Sequence, residues 1–327
     1  MGYKMQTRYS IRIIFSLLLA MLFLLVSCGG GGDGGSKTPP APNPLDTWHL
    51  RLSSQPYLTS IAYGNGLFVA GGIHGLLTSP DGKTWTSVDL DRPFTVQGLT
   101  YANGIFVAVG DYGLTGSSID GKSWTIVDSG NSSYLSGLTY GNGIYVAVGT
   151  NGTILTSSNG TSWINRSSGT SNGLQGVTYG NGIYVAVGYE IRGSGMGEVL
   201  VSTDGLHWTK NDLGSFNYLN ACTYGDGIFV VVGGPQNTIM TSSDGLHWTS
   251  RNSGFNGILY GITYAEGIFV AVGYDATILT STNGESWTKR YEDVRNPKFL
   301  PHLLFGVTFG NDSFVAVGDQ VLQSDPI

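Results

Sequence analysis

Residues 135–168 read LSGLTYGNGIYVAVGTNGTILTSSNGTSWINRSS. Four short runs stand in this stretch: LSGLTY at 135–140, IYVAVG at 144–149, TILTSS at 153–158 and WINRSS at 163–168. Runs of this length, rich in Val, Ile and Tyr and bounded by Gly and Asn, have the pattern of β-strands. Asn142-Gly143 divides the first pair and Asn159-Gly160 the last pair. Both central residues of a type I′ turn need positive φ, which Asn and Gly tolerate, so both places are expected to be tight antiparallel hairpins. The stretch therefore predicts a four-stranded meander.

The meander recurs along the chain. Trp85, Trp124, Trp163, Trp208, Trp248 and Trp287 are spaced by 39, 39, 45, 40 and 39 residues, the sign of stacked supersecondary units. The second run of each unit, IFVAVG or a near copy, is apolar at every position instead of alternating. A strand reads that way when both faces are covered, so each small sheet needs a neighbour on either side. Small sheets stacked face to face about an axis form a β-propeller. The second run begins at 67, 105, 144, 183, 228, 268 and 313, which makes seven blades. The seventh unit stops at QVLQSDPI before any Trp, while TWHLRLSS at 47–54 is a fourth strand with no preceding three. The expected fold is all-β: a seven-bladed β-propeller of four-stranded antiparallel blades over 47–327, its ring closed by the N-terminal strand at Trp48.

The turn before each Trp carries a family resemblance. SPDGKTW at 79–85, SIDGKSW at 118–124 and SSDGLHW at 242–248, with variants at 157, 202 and 281, resemble the Asp-box, or bacterial neuraminidase repeat, of sialidases and many other propellers. The resemblance spans nearly all of the chain after its leader and implies the propeller fold; it is weak for function. The chain is also similar to the lumenal photosystem II assembly factors, seven-bladed propellers whose basic patch it lacks. An Asp can accept hydrogen bonds from N–H groups of its own turn, and the indole can cover that turn while packing on the blade, so the repeated residues are expected to serve architecture. A sialidase needs three Arg side chains converging near the axis. Arg51, Arg166, Arg251 and Arg290 instead lie three residues after a Trp, on outermost strands, and Arg92, Arg192 and Arg295 lie in loops.

The first 46 residues stand outside this pattern. Lys4, Arg8 and Arg12 precede the apolar run IIFSLLLAMLFLLVS at 13–27, too short for a comfortable membrane span and suited to a secretion signal over 1–27. It ends in LVSC, Leu25 to Cys28, which resembles the bacterial lipobox and implies lipidation of Cys28 as the first mature residue. GGGGDGGSKTPPAPNP follows, a Gly-rich and then Pro-rich tether over 28–46. Acyl chains on Cys28 would supply stable anchoring, the membrane being reached through lipid alone. The expected location is the cell envelope, on the outer membrane because Gly29 rather than Asp follows the Cys, facing the periplasm or the cell surface.

Removing 1–27 takes away three basic residues and no acid, leaving 13 Lys and Arg against 22 Asp and Glu, a net charge of −9. With no run of basic residues, such a surface repels nucleic acid. Cys222 is then the remaining thiol; it aligns with Leu99 and Val177 at an apolar strand position and reads as a small core residue. His207 and His247 hold the turn position of Thr84 and Ser123 and read as solvent-facing. Neither a metal-ligand spacing nor a phosphate loop is present, so no metal or cofactor is expected.

Seven internal copies allow positions to be compared. The first and third turns share one face of the disc and are monotonous. The second loop and the link between blades share the other face and are diverse: Ile73-His74, Asp111-Tyr112, Thr150-Asn151, Tyr189-Glu190, Pro235-Gln236-Asn237, Tyr274-Asp275 and Asp319-Gln320. His74, Asp111, Tyr112, Tyr189, Glu190, Asn237, Tyr274, Asp275 and Asp319 are the candidate ligand-binding residues, since Tyr, Asp, Asn and Gln around a depression suit peptides and glycans. The expected function is non-catalytic binding or scaffolding of a protein or glycan partner. The alternative is a carbohydrate-active hydrolase or lyase using Asp111, Glu190, Asp275 or Asp319 near the axis. If Cys28 is the acyl acceptor, metabolic labelling with a fatty-acid analogue should mark the wild type and not Cys28→Ala; label persisting in the variant would reject the assignment.

Overall fold

The computed structural model describes residues 43–53, 57–190, 195–211, 218–234, 238–293 and 301–327. The signal, Cys28 and most of the tether lie outside the described residues, as do Asn237, Arg192 and Arg295. The strands form seven four-stranded antiparallel sheets, the blades, at 58–88, 96–128, 135–166, 173–211, 219–251, 259–291, and 304–324 with 48–52. Three short 3-10 turns are the only helical pieces among the described residues.

Each blade runs from the axis outward as inner, second, third and outer strand. The second strands, Ile105–Gly110 of blade 2 for example, are buried at every position after the first, except that the longer one of blade 4 ends at half-buried Tyr189. Their two faces feed two different slabs of core. Val69 of blade 1 packs with Phe106 and Ala108 of blade 2, and Val185 and Val187 of blade 4 pack with Phe229 and Val231 of blade 5. The all-apolar second strand is thus explained by neighbouring sheets on both sides.

The first hairpin is a type I′ turn in all seven blades. Asn142 and Gly143 have φ of 42° and 82°, and even Glu266-Gly267 and Asn311-Asp312 are positive at both positions. The third turn corrects the expectation of a second tight hairpin. Only its Gly is left-handed, and six residues separate Ser79 from the outer strand that begins at Thr86. The Asp carboxylate shapes this longer turn: Asp81 Oδ1 accepts from the N–H groups of Lys83 and Thr84 at 2.8 and 3.0 Å. Ser79 Oγ accepts from Gly82 N–H at 2.8 Å, and Trp85 Nε1 donates to the Gly82 carbonyl at 3.1 Å. The same donors, from Ser123 first and then Lys122, hold the Asp120 carboxyl at about 2. Asn159 and Asn283 make the same bonds without charge. These turns also join blades: a Cβ on Gly121 would stand 2.8 to 2.9 Å from Leu67 and Val69 of the preceding blade.

Blade 7 closes as expected. Trp48–Leu52 pairs antiparallel with Val321–Ser324, Trp48 opposite Ser324 and Leu50 opposite Leu322. This blade has no Ser-x-Asp-Gly turn, and another device replaces it. Asn43 accepts from Leu45 N–H, Pro44–Asp46 makes one 3-10 turn, and Trp48 Nε1 donates to the Leu45 carbonyl at 2.9 Å, again three residues back. The outer-strand arginines are held sideways, Arg166, Arg251 and Arg290 each donating Nε to a third-strand Thr hydroxyl at 2.8 to 2.9 Å.

A chain beginning at residue 56 would bare the third strand of blade 7 and lose the pairing that shuts the ring. It should aggregate or melt well below a chain beginning at residue 43. Equal melting temperatures would show that the ring does not depend on this strand.

Candidate functional site

The site is built by one irregularity repeated seven times. Every inner strand has a β-bulge at its start, between Leu58 and Ser60, Val96 and Gly98, Leu135 and Gly137, Leu174 and Gly176, Leu219 and Ala221, Leu259 and Gly261, and Leu304 and Gly306. A bulge leaves its extra residue unpaired and re-aims the side chain. The extra residues are Thr59, Gln97, Ser136, Gln175, Asn220, Tyr260 and Phe305, and together they line the mouth of an axial depression of about 230 Å³. This space is below the roughly 300 to 1,000 Å³ of sites that enclose drug-sized ligands, and suits a side chain or chain end.

The residue after each bulge decides how closely the strands converge. It is Gly in five blades, Ser60 in blade 1 and Ala221 in blade 5. A Cβ on Gly261 would stand 2.4 Å from the Phe305 carbonyl oxygen, and one on Gly137 would stand 2.9 Å from that of Gln175. Small residues therefore let seven backbones meet at the axis. Cys222 lies on the channel wall with its thiol 3.5 Å from the Val185 carbonyl, in register with Leu99 and Val177, and burial pushes its pKa far up.

The mouth opens on the diverse face, and the extra residues connect to the loops there. Gln97 Nε2 donates to Asp111 Oδ1 at 3.2 Å, and Asn220 Nδ2 donates to the Leu259 carbonyl of the next blade at 2.9 Å. Tyr260 and Phe305 form an aromatic pair with centroids 5.2 Å apart. The rim outside them is tyrosine-rich. Among the described residues every exposed tyrosine, namely Tyr57, Tyr112, Tyr134, Tyr218 and Tyr274, belongs to a second loop or a link between blades. Tyr112 packs against Tyr134 at 5.3 Å, Tyr189 against Tyr218 at 4.9 Å and Tyr57 against His74 at 6.1 Å. The hydrogen bond that the Tyr134 hydroxyl donates to Tyr112 raises the pKa of the Tyr134 phenol, and burial raises that of Tyr189. Tyr57, Tyr112 and Tyr218 hold φ of 46°, 57° and 38°, a left-handed backbone that is unusual for a bulky side chain and found most often where structure serves function.

The loops are pinned from below. Gly113 N–H donates to Ser133 O, Gly152 N–H to Asn172 O and Ala276 N–H to His302 O, at 2.6 to 2.8 Å. Of the candidate residues, His74, Tyr112 and Tyr274 are exposed, and Asp111, Tyr189, Glu190, Asp275 and Asp319 are half-buried. Asp319 accepts from Leu303 N–H at 3.0 Å, a structural role. Desolvation, then the nearby Glu292 and Asp293 carboxylates, raise the pKa of Asp275. Among the described residues no acidic or Arg side chain lines the axial depression, and no three of His, Cys, Asp and Glu cluster as metal ligands would. His207 and His247 are exposed, each bonded through Nδ1 to the Asp of its own turn at 2.7 Å.

Sequence reasoning missed the seven extra bulge residues and the link tyrosines Tyr57, Tyr134 and Tyr218. A signal was there. Between a large apolar residue and a small one (LTS, VQG, LSG, LQG, LNA, LYG, LFG) the middle position varies in size, charge-free polarity and aromaticity while its flanks stay fixed.

The small residue after the bulge can be tested against the chain's own exceptions. Gly261→Ala should cost about 1 to 3 kcal/mol as an overpacked contact, whereas Ala221→Gly should move the melting temperature little. If Gly261→Ala melts like the wild type, the convergence at the axis is looser than described.

No protein-family model matches the chain, and no curated protein matches its sequence. Solved structures do resemble it in fold. YCF48 bound to a D1 peptide superposes with a TM-score of 0.66 at 16% identity, covering 88% of this chain and 98% of that one. A catalytically inactive virginiamycin B lyase from Staphylococcus aureus with quinupristin gives 0.72 at 14% identity, covering 86% and 100%. YCF48 from Cyanidioschyzon merolae gives 0.62 at 16%, covering 85% and 98%. At these identities the likeness is one of architecture, and by that measure the chain is a seven-bladed propeller similar to peptide-bound and ligand-bound propellers alike.

Proposed function

We propose that this chain is a non-catalytic binding or scaffolding protein of the cell envelope, an Asp-box propeller held to the membrane by lipid on Cys28, that presents the mouth of its axial channel to a protein partner. The observation that carries the proposal is the segregation of exposed tyrosines onto the loops around that mouth. Aromatic side chains supply large contact area at low entropic cost and dominate binding energy where they cluster. The charge-free ring of Thr59, Gln97, Ser136, Gln175 and Asn220 offers amide and hydroxyl groups at the centre. Such groups pair with a peptide backbone. A similar propeller, YCF48, is bound to a peptide, which supports a protein partner over a glycan.

The proposal also explains the division of labour between faces. Hydrogen bonds saturate the Asp-Gly turns internally, leaving them little to offer a partner. The loops on the other face are anchored by backbone bonds while Tyr57, Tyr112, Tyr134, Tyr218 and Tyr274 stand exposed.

In a pull-down from envelope extract, run beside a glycan array, Tyr274→Ala and Tyr112→Asn should lose the partner by about tenfold or more each, as truncated interface aromatics do. Asn is chosen at Tyr112 because it tolerates the left-handed backbone there. Asn142→Ser and Lys122→Ala, on the other face, should retain it. Loss confined to the second pair at unchanged melting temperature would move the site to the repeated turns.

A further inference from the structure

Three blades repeat one juxtaposition that the other four lack. In blades 2, 4 and 6 the second loop sets a tyrosine beside a carboxylate, Asp111-Tyr112, Tyr189-Glu190 and Tyr274-Asp275, and a second tyrosine stands by each. Tyr134 packs at a tilt on Tyr112, Tyr218 packs edge-on against Tyr189, and the Tyr274 N–H donates at 2.9 Å to the carbonyl of Ile258, two residues before Tyr260. In blade 6 Tyr260 in turn packs on Phe305 of blade 7 at the axial mouth. Around it Glu292 and Asp293 lie near Asp275, whose proton affinity is raised by desolvation and then by these two carboxylates. The basic side chains of this blade, Lys289 and Arg290, are both on its outer strand and both paired, Lys289 with Glu292 at 2.7 Å and Arg290 with Asp46. The chain after residue 27 carries a net charge of −9, so no distant field opposes the local one.

An aromatic face flanked by a carboxylate is the chemistry that holds a cation: the ring quadrupole attracts it, the carboxylate pairs with it, and a partly desolvated setting strengthens both. Arg fits best, because its planar guanidinium stacks on the ring while its N–H groups reach the acid. We infer that the partner segment is basic, an arginine-containing peptide whose side chains lie over Tyr274 and Tyr112 beside Asp275 and Asp111, and whose backbone crosses the amide-lined axial mouth. The inference rests on the proposed protein-binding role of this face and names the chemistry it recognises. Repetition in alternate blades makes the surface multivalent, so several weak cation contacts add within one ligand.

The test uses the full chain in detergent and three fluorescein-labelled peptides of one length: arginine alternating with serine, the same peptide with citrulline for arginine, and the same with glutamate. Citrulline keeps the shape and removes the charge. Fluorescence anisotropy should show binding of the arginine peptide, at least about tenfold weaker binding of the citrulline peptide and none of the glutamate peptide. Raising salt from about 50 to about 500 mM should weaken the arginine complex severalfold, as screened contacts require. Tyr274→Ala and Asp275→Asn should each weaken it about tenfold with the melting temperature unchanged, and Asn142→Ser should not. Equal affinity for the arginine and citrulline peptides, lost in Tyr274→Ala, would overturn the cationic specificity while leaving the face as the docking surface. Arginine-peptide binding that survives Tyr274→Ala and Tyr112→Asn would overturn the inference and the site together. No binding of the arginine peptide at millimolar concentration would overturn the inference alone.

Discussion

Burial of the second strand on both faces is the constraint from which the rest of the molecule follows. IFVAVG cannot face water on either side, so every blade requires two neighbours, and a row of seven blades satisfies all of them only as a closed ring. Closure falls to Trp48–Leu52 against Val321–Ser324. Without that pairing blade 7 keeps three strands, and the slab between Phe68 of blade 1 and Val315 and Val317 of blade 7 loses its outer cover. The glycines at the axis answer the same constraint from inside: seven sheets brought into contact must also converge, and their backbones meet where an added Cβ would crowd the next blade.

Convergence gives the site its shape. Each bulge turns one side chain toward the axis at the start of the inner strand, where the link from the previous blade arrives. The depression and the tyrosine rim are thus placed by the same strand ends, and the pinned loops keep them in register. At the opposite end the inner strands finish in a ring of half-buried aromatics, Tyr63 and Tyr101 to Phe309, each packed on its own second strand at 4.5 to 5.0 Å and covering a small residue of the blade before it. That end is spent on packing.

What the sequence displays and what it hides divide along physical lines. Asn-Gly at a hairpin tip announces itself because few residues tolerate its dihedral angles, and blade number followed from counting such tips and the strands between them. The third turn was misread because Asp-Gly serves two geometries; Ser two residues before and Trp four after mark the longer one, in which the side chain and not the dihedral angle closes the loop. Glu266 shows the reverse, a residue with little taste for positive φ held there by the hairpin around it and by Gly267. The bulges are marked only by the Gly that follows in five blades, so Gln97, Gln175 or Tyr260 themselves look like ordinary strand positions. The rim was half legible: Tyr112, Tyr189 and Tyr274 stood out by varying among copies, while their partners Tyr134 and Tyr218, far off in sequence, emerged only from the folded contacts.

The turn at Asn43–Trp48 gives the ring a mechanical character. This turn leads straight into the outer strand of blade 7, so a pull applied at Asn43 loads the closing strand directly. Tension would first meet the Asp46–Arg290 ion pair to blade 6 and the indole bond of Trp48 to Leu45, and only then the ladder to Val321–Ser324. These contacts act as strain relief. A ring loaded at that point therefore fails, when it fails, by unzipping one strand.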